Sequence, residues 1–135
     1  MAFIEWDDSF SIDIDEIDQQ HQRLFGMIND LADALQGEPD KTVLRKIANE
    51  LISYIDIHFT HEETYFNEFG YTEARQHKRE HAYFVQRVLE FMDGFEQGNL
   101  AISTDMMQFL SDWLVTHIKG SDRKYASFFL ARGVR

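Results

Sequence analysis

Two pairs of residues in this chain stand at a spacing that can hold a metal ion: His58 with Glu62, and His77 with His81, each four residues apart. On a helix that separation puts both side chains on one face, one above the other. Each pair can therefore aim two donors at one ion, or at two neighbouring ions. The chain has no cysteine, which removes disulfides, thiolate zinc sites, iron–sulfur clusters and cysteine nucleophiles. Any metal is then held by nitrogen and oxygen, a donor set suited to iron, manganese or zinc.

The elements that must position these residues follow from hydrophobic periodicity. A first helix is predicted over about 18–36, with Asp18 as N-cap, a stripe of His21, Leu24, Phe25, Ile28, Leu31 and Leu35, and a stop at Gly37 and Pro39. A second runs over about 40–67 with Leu44, Ile47, Leu51, Tyr54, Ile55, His58, Glu62 and Tyr65, and closes at Gly70. A third starts near Thr72 and reaches about 96, with Ala74, His77, His81, Phe84, Val88, Phe91 and Phe95, and closes at Gly98. The fourth starts near Ser103, with Asp105 in its first turn, and carries Met106, Leu110, Trp113, Leu114 and His117. A short helical tail over about 122–131 bears Tyr125, Phe128 and Phe129. Residues 1–17 read as an ordered arm without helical period, with Trp6 packed on the bundle. Short links make neighbouring helices antiparallel. The expectation is one all-α domain over 1–135, an up-down-up-down antiparallel four-helix bundle over about 18–119 with an N-terminal arm and a short C-terminal helix.

Polar residues fall where apolar ones belong. With about 100° per residue and His58 as origin, Leu51 lies at about 20°, Ile47 at about −20° and Glu62 at about 40°. From His77, His81 lies at about 40°, Phe84 at about −20° and Val88 at about 20°. His21 and His117 also fall within their stripes. A single inward histidine is ordinarily a hydrogen-bonded core residue. Inward polar residues on all four helices are another matter, because a buried carboxylate or imidazole cluster is costly unless paired or metal-bound. In an up-down-up-down bundle the start of the first helix, the later part of the second, the start of the third and the end of the fourth share one end. The candidates can then meet in one layer, where bundles build metal sites. Asp122 differs: on a regular helix it lies about 140° from His117. It joins only if the helix widens or breaks over 118–121, and Gly120 within that stretch permits this. His61 lies about 60° off the stripe and reads as a solvated edge residue. Glu63 and Glu68 read as surface charges.

The bulk properties agree. The chain has 135 residues, 44% hydrophobic, enough for one core. Its net charge of −11 repels phosphate backbones, so nucleic acid is not an expected partner. No apolar run is long enough to enter a membrane. The segment Met1–Asp8 carries acids rather than a basic leader, so a cytoplasmic protein is expected. The stripes leave no broad apolar surface, so the expected state is a monomer.

Together the segments Ile17-Asp18-Gln19-Gln20-His21, His58-Phe59-x2-Glu62-Glu63, His77-x3-His81 and His117-Ile118-x3-Asp122-x2-Tyr125, with Trp6 and Phe10-Ser11-Ile12 ahead of them, resemble the hemerythrin pattern over nearly the whole chain. The acidic single-domain form is similar to the bacterial branch, the bacteriohemerythrins. The resemblance implies a non-haem di-iron centre. His77, His81 and His117 would hold one iron and His21 and His58 the other. Glu62 and Asp122 would each bridge both, beside a bridging oxo or hydroxo group. This set leaves one coordination position open, on the iron with two histidines. The implied function is reversible O2 binding, for transport, storage or delivery to an O2-consuming enzyme. Such a site needs a dry pocket, for which Leu114, Trp113, Phe25 and Tyr54 are the expected lining.

Other readings stand beside this one. Ferritin-like di-iron oxidases carry four carboxylates, two of them in Glu-x-x-His motifs. This chain has no such motif and offers five histidines against two inward acids. That favours binding over oxygenation, with peroxidase- or NO-related side activity open. An O2 or redox sensor would need an output module, and none is encoded between the bundle and Arg135. A metal-free interaction bundle is told apart by metal analysis.

Overall fold

A computed structural model describes residues 3–36, 40–97 and 101–134. Within them the chain forms a single 3-10 turn at Asp8–Phe10, α1 at Asp15–Ala34, α2 at Lys41–Phe69, α3 at Ala74–Glu96, α4 at Ala101–His117, a π-helical turn at Ile118–Asp122 and α5 at Arg123–Leu130, with no strand among the described residues. Each of α1 to α4 packs on the next, and α4 returns to α1, closing the expected four-helix bundle. No helix among the described residues is long and apolar enough to cross a membrane. The expected stops at Gly37 and Pro39 and at Gly98 lie outside the described residues.

The helix ends follow local chemistry. The Asp40 carboxylate caps α2 by accepting from the backbone N–H groups of Thr42 at 2.8 Å and Val43 at 3.3 Å. Gly70 ends α2 in the left-handed region, at φ 65°, and lets the Tyr71 N–H reach the Phe66 carbonyl at 3.0 Å. α1 departs from expectation. It begins at Asp15, after Ile14, which supplies no side-chain cap. Asp15, Glu16 and Asp18 all lie in its first turn, where the helix dipole favours negative charge. Asp18 is therefore inside the helix rather than capping it. Its carboxylate turns back to the arm and accepts from the Ile12 N–H at 2.9 Å and the Ser11 hydroxyl at 2.5 Å.

Two apolar clusters sandwich one polar layer. The larger includes Leu24, Leu51, Ile55, Phe84, Leu110 and Leu114. The smaller comprises Ile12, Ile14, Ile17, Phe66, Tyr71, Tyr125, Ala126 and Phe129. Along α1, Ile17 belongs to the smaller and Leu24 to the larger, with His21 between them. Along α2, Ile55 and Phe66 bracket His58 and Glu62 in the same way. The stripe of α2 is wider than the periodicity predicts: Phe59 and Phe66 are buried, whereas Tyr54 and Tyr65 are half-buried. The cause is that α2 packs on both α1 and α3.

The arm is ordered by specific contacts. Asn29 of α1 accepts from the Ile4 N–H at 2.9 Å and donates back to the Ile4 carbonyl at 2.8 Å. Trp6 packs on Phe10 and Phe25, with ring centroids 5.6 and 5.4 Å away. The Lys119 ammonium lies 4.6 Å from the Phe10 ring centroid, and Arg123 donates to the Ser9 carbonyl, so the arm also touches the π-helical turn. Removing the Asp18 carboxylate strips the arm of two charge-assisted hydrogen bonds. Asp18→Ala is expected to lower stability by about 1–2 kcal/mol, read as a lower urea midpoint at unchanged slope.

Candidate metal centre

The polar layer gathers one or two residues from every helix of the bundle. α1 supplies His21, α2 supplies His58 and Glu62, α3 supplies His77 and His81, α4 ends on His117, and the π-helical turn ends on Asp122. All seven are at most 4% exposed. Their ligand atoms form two overlapping groups: Glu62, His77, His81, His117 and Asp122 in one, and His21, His58 and Glu62 in the other, with the atoms of each group within 4.8 Å of one another.

The carboxylates stand between the groups. One Asp122 oxygen, Oδ1, is 3.1 Å from Nε2 of both His77 and His117, while Oδ2 is 3.1 Å from Nε2 of His21. Glu62 Oε1 is 3.2 Å from His58 Nε2 and 3.3 Å from His81 Nε2. All five imidazoles thus present the same nitrogen, Nε2, to the centre.

Asp122 reaches this position through the irregular turn. Over Ile118–Asp122 the helix is π-wound. Bonding from i to i+5 adds a residue to the turn, which brings Asp122 round beneath His117. The irregularity lies where the sequence places it, and Gly120 permits it without being sterically required. A Cβ added there meets nothing within 4 Å, and the residue is not left-handed. No steric rule demands a glycine; its contribution is weak helix propensity, which makes the departure from α geometry cheaper.

The donors fit a metal. Nε2 of His21, His77, His81 and His117, Oε1 of Glu62 and both oxygens of Asp122 are buried without a hydrogen-bond partner. Each such atom costs about 1–3 kcal/mol when left unsatisfied. The short nitrogen–oxygen distances do not have hydrogen-bond geometry, so lone pairs crowd together in a space that a cation would satisfy. Burial opposes ionisation of Glu62, as does the neighbouring Asp122 charge, but His58 and His81 hold its carboxyl well below the ordinary range. Burial likewise opposes ionisation of Asp122, and His117, His21 and His77 overcome it. Burial lowers the His117 pKa, yet Asp122 and Glu80 raise it to about 10. Without a metal, the Asp122 and Glu80 carboxylates thus favour the protonated form of His117.

A second set of residues supports the ligands, and sequence reasoning missed most of it. Gln20 Oε1 lies 2.6 Å from His58 Nδ1, Glu63 Oε2 lies 3.1 Å from His81 Nδ1, and Glu80 Oε1 lies 3.2 Å from His117 Nδ1. With Nε2 turned to the centre, each Nδ1–H donates to its partner. The three partners share a sequence signal: each stands next to a ligand, at 20 beside 21, 63 beside 62, and 80 beside 81. One step along a helix swings a side chain by about 100°, toward the neighbouring helix. Gln20 of α1 thus serves α2, Glu63 of α2 serves α3, and Glu80 of α3 serves α4. Glu63 is accordingly half-buried and bonded to the layer, not the plain surface charge expected, whereas Glu68 is exposed. His61 is partly buried; its Nδ1 receives the Gln20 amide at 2.7 Å and its Nε2 lies 3.5 Å from Glu16. Tyr125 donates its hydroxyl to Glu62 Oε2. Burial and the Glu62 and Asp122 charges push the Tyr125 pKa well above the usual tyrosine value, so it remains a donor.

Beside the layer lies an apolar cavity of about 10 Å³ lined by Leu24, Ile28, Leu51, Ile55, Phe59, Phe84, Leu110 and Leu114. Of the expected pocket residues, Leu114 lines it. Trp113 stacks on the His117 ring at 4.3 Å. Phe25 packs instead against Trp6 and Phe10. Tyr54 is half-buried with the Arg23 guanidinium over its ring. Phe59, absent from the expected lining, borders the cavity and lies parallel to the His81 ring with centroids 3.7 Å apart.

Residues 12–129 match the family model described as the hemerythrin HHE cation binding domain. The chain is 39% identical over 126 residues to a bacteriohemerythrin of Stenotrophomonas maltophilia, covering 93% of this chain and 81% of the relative. It is 35% identical over 120 residues to a hemerythrin-like protein of Naegleria gruberi, covering 89% and 88%. A crystal structure of wild-type hemerythrin superimposes with a TM-score of 0.84 at 32% identity, covering 93% of this chain and 97% of that one.

The proton on His117 yields a test of the layer. The folded pKa lies above the ordinary 6.5, so its stabilisation of the metal-free protein is complete below about pH 6.5 and fades as pH rises toward 10. A metal must displace that proton. Adding Zn(II) to metal-free protein near pH 8 is expected to release about one proton per chain from this group, read with an indicator dye in weak buffer.

Proposed function

The chain belongs to the hemerythrin family, and from that premise we propose that it binds O2 reversibly at a di-iron centre in the polar layer. Hemerythrins are oxygen-binding rather than enzymatic proteins, and the family's domain binds a metal centre. The observation that carries the proposal is the donor set: five buried Nε2 atoms and two buried carboxylates, most of them without partners, in two groups that share Glu62. In this reading His77, His81 and His117 would hold one iron, His21 and His58 would hold the other, and Glu62 and Asp122 would bridge them. The placement of the two Asp122 oxygens toward different histidines supports the bridging role. The bound iron pair supplies reversible two-electron donation to O2.

The chain's own residues control the surroundings. Five imidazoles and two bridging carboxylates, with a bridging oxo or hydroxo group, would leave one position free on the two-histidine side. Gln20, Glu63 and Glu80 orient three of the imidazoles through Nδ1. Tyr125 holds Glu62 by one oxygen. Leu114 and Phe59 border an apolar cavity with space for about one water and no polar partner to keep it there. Excluding water in this way protects a bound gas from protonation and loss.

Purified protein is expected to contain about two irons per chain in this reading. After anaerobic reduction, stopped-flow mixing with O2 should give a stable coloured form that bleaches under vacuum. Immediate oxidation without a reversible phase would refute the carrier reading. Glu62→Ala and Asp122→Ala each remove a bridge and strand buried imidazoles, so iron retention should fall by about 10-fold or more, measured by metal analysis after dialysis against a chelator.

A further inference from the structure

The hydrogen bonds that run from helix to helix around the layer are unequal. His81 and His117, on the three-histidine side, each donate Nδ1–H to a carboxylate, Glu63 at 3.1 Å and Glu80 at 3.2 Å. His58, on the two-histidine side, donates to the neutral amide of Gln20 at 2.6 Å. The succession stops at His21, whose Nδ1 is fully buried with no hydrogen-bond partner among the described residues.

The groups are also fixed differently. Glu80 Oε1 is held by the Ser121 hydroxyl at 2.6 Å, within the same π-helical turn that delivers Asp122. Gln20 is held by His61, through its amide nitrogen at 2.7 Å. That second bond fixes the orientation of the amide: its nitrogen faces His61, so its oxygen faces His58.

A carboxylate accepting from Nδ1–H makes an imidazole a stronger donor at Nε2, and a neutral amide does so less. Glu63 and Glu80 are about one-third exposed, at 32% and 30%, so solvent reduces their effect without removing it. We propose that Glu63 and Glu80 are positioning residues that make the His77–His81–His117 position the tighter metal site, while Gln20 and the unpartnered His21 leave the His21–His58 position weaker and more strongly Lewis acidic. The inference rests on the two-metal reading above. It adds that the difference between the positions is set by the supporting shell as well as by the number of histidines. The more acidic position is then the one with the vacancy.

The test is a Co(II) titration of the metal-free protein under anaerobic conditions, followed by ligand-field absorption. Two resolved equivalents are expected. Glu63→Gln and Glu80→Gln keep shape and acceptor but remove charge. Together they should weaken the first equivalent by about 10- to 100-fold and leave the second within about twofold, with each single variant giving part of the loss. Gln20→Glu should tighten the second equivalent and shift its ligand-field bands, a gain that a merely structural role would not produce. Helical circular dichroism confirms that each variant is folded. Equal weakening of both equivalents, wild-type affinities in the double variant, or no tightening in Gln20→Glu overturns the inference and leaves the two-metal reading standing. Uptake of a single equivalent, or none, by the wild-type protein removes the two-metal reading and this inference with it.

Discussion

The bundle contains one arrangement that apolar packing cannot account for: seven ionisable side chains buried in a single layer, with most of their inward atoms lacking hydrogen-bond partners. Such atoms are destabilising individually and more so together, since like charges on Glu62 and Asp122 face each other in a medium that screens poorly. A polyvalent cation resolves the conflict by replacing missing partners and neutralising the carboxylates at once. The two apolar clusters that bracket the layer make this necessary, because they withhold the water that would otherwise solvate it.

The same constraint explains the local departure from helical geometry after α4. A regular helix can present His117 or Asp122 to the layer, but not both. The π-helical turn presents both, and its neighbours hold it in place. Ser121 within it bonds Glu80 of α3, and Lys119 and Arg123 reach the arm. The arm is in turn fastened to α1 by Asn29 and Asp18. An irregularity that weakens one helix is thus supported by two other elements, a common arrangement where geometry serves a site.

Support of the ligands is distributed across helices rather than contained within them. Gln20, Glu63 and Glu80 each sit beside a ligand in sequence but bond a ligand on the next helix. The orientation of each imidazole therefore depends on correct packing of two helices. The metal layer and the bundle are mutually dependent, since a shift of one helix disturbs both a ligand and the residue that orients its neighbour.

Much of this was legible in the sequence, because helical periodicity is a local property. A 3.6-residue repeat places His58, Glu62, His77 and His81 on inward faces whatever the details of packing. The order of the helices places them at one end. Asp122 was legible only as a conflict between its chemistry and its angle, and the turn that resolves it was expected near where it occurs. The tertiary structure alone decided the rest. Asp18 serves the arm because the arm folds back over the start of α1. Phe59 and Phe66 are buried because α2 has neighbours on two sides. Glu63 supports His81 because α3 lies against that flank. Phe25 turned to Trp6 rather than to the cavity for the same kind of reason. A helix's own sequence states which way a side chain points, but what it meets there belongs to another segment, and only the packed fold brings the two together.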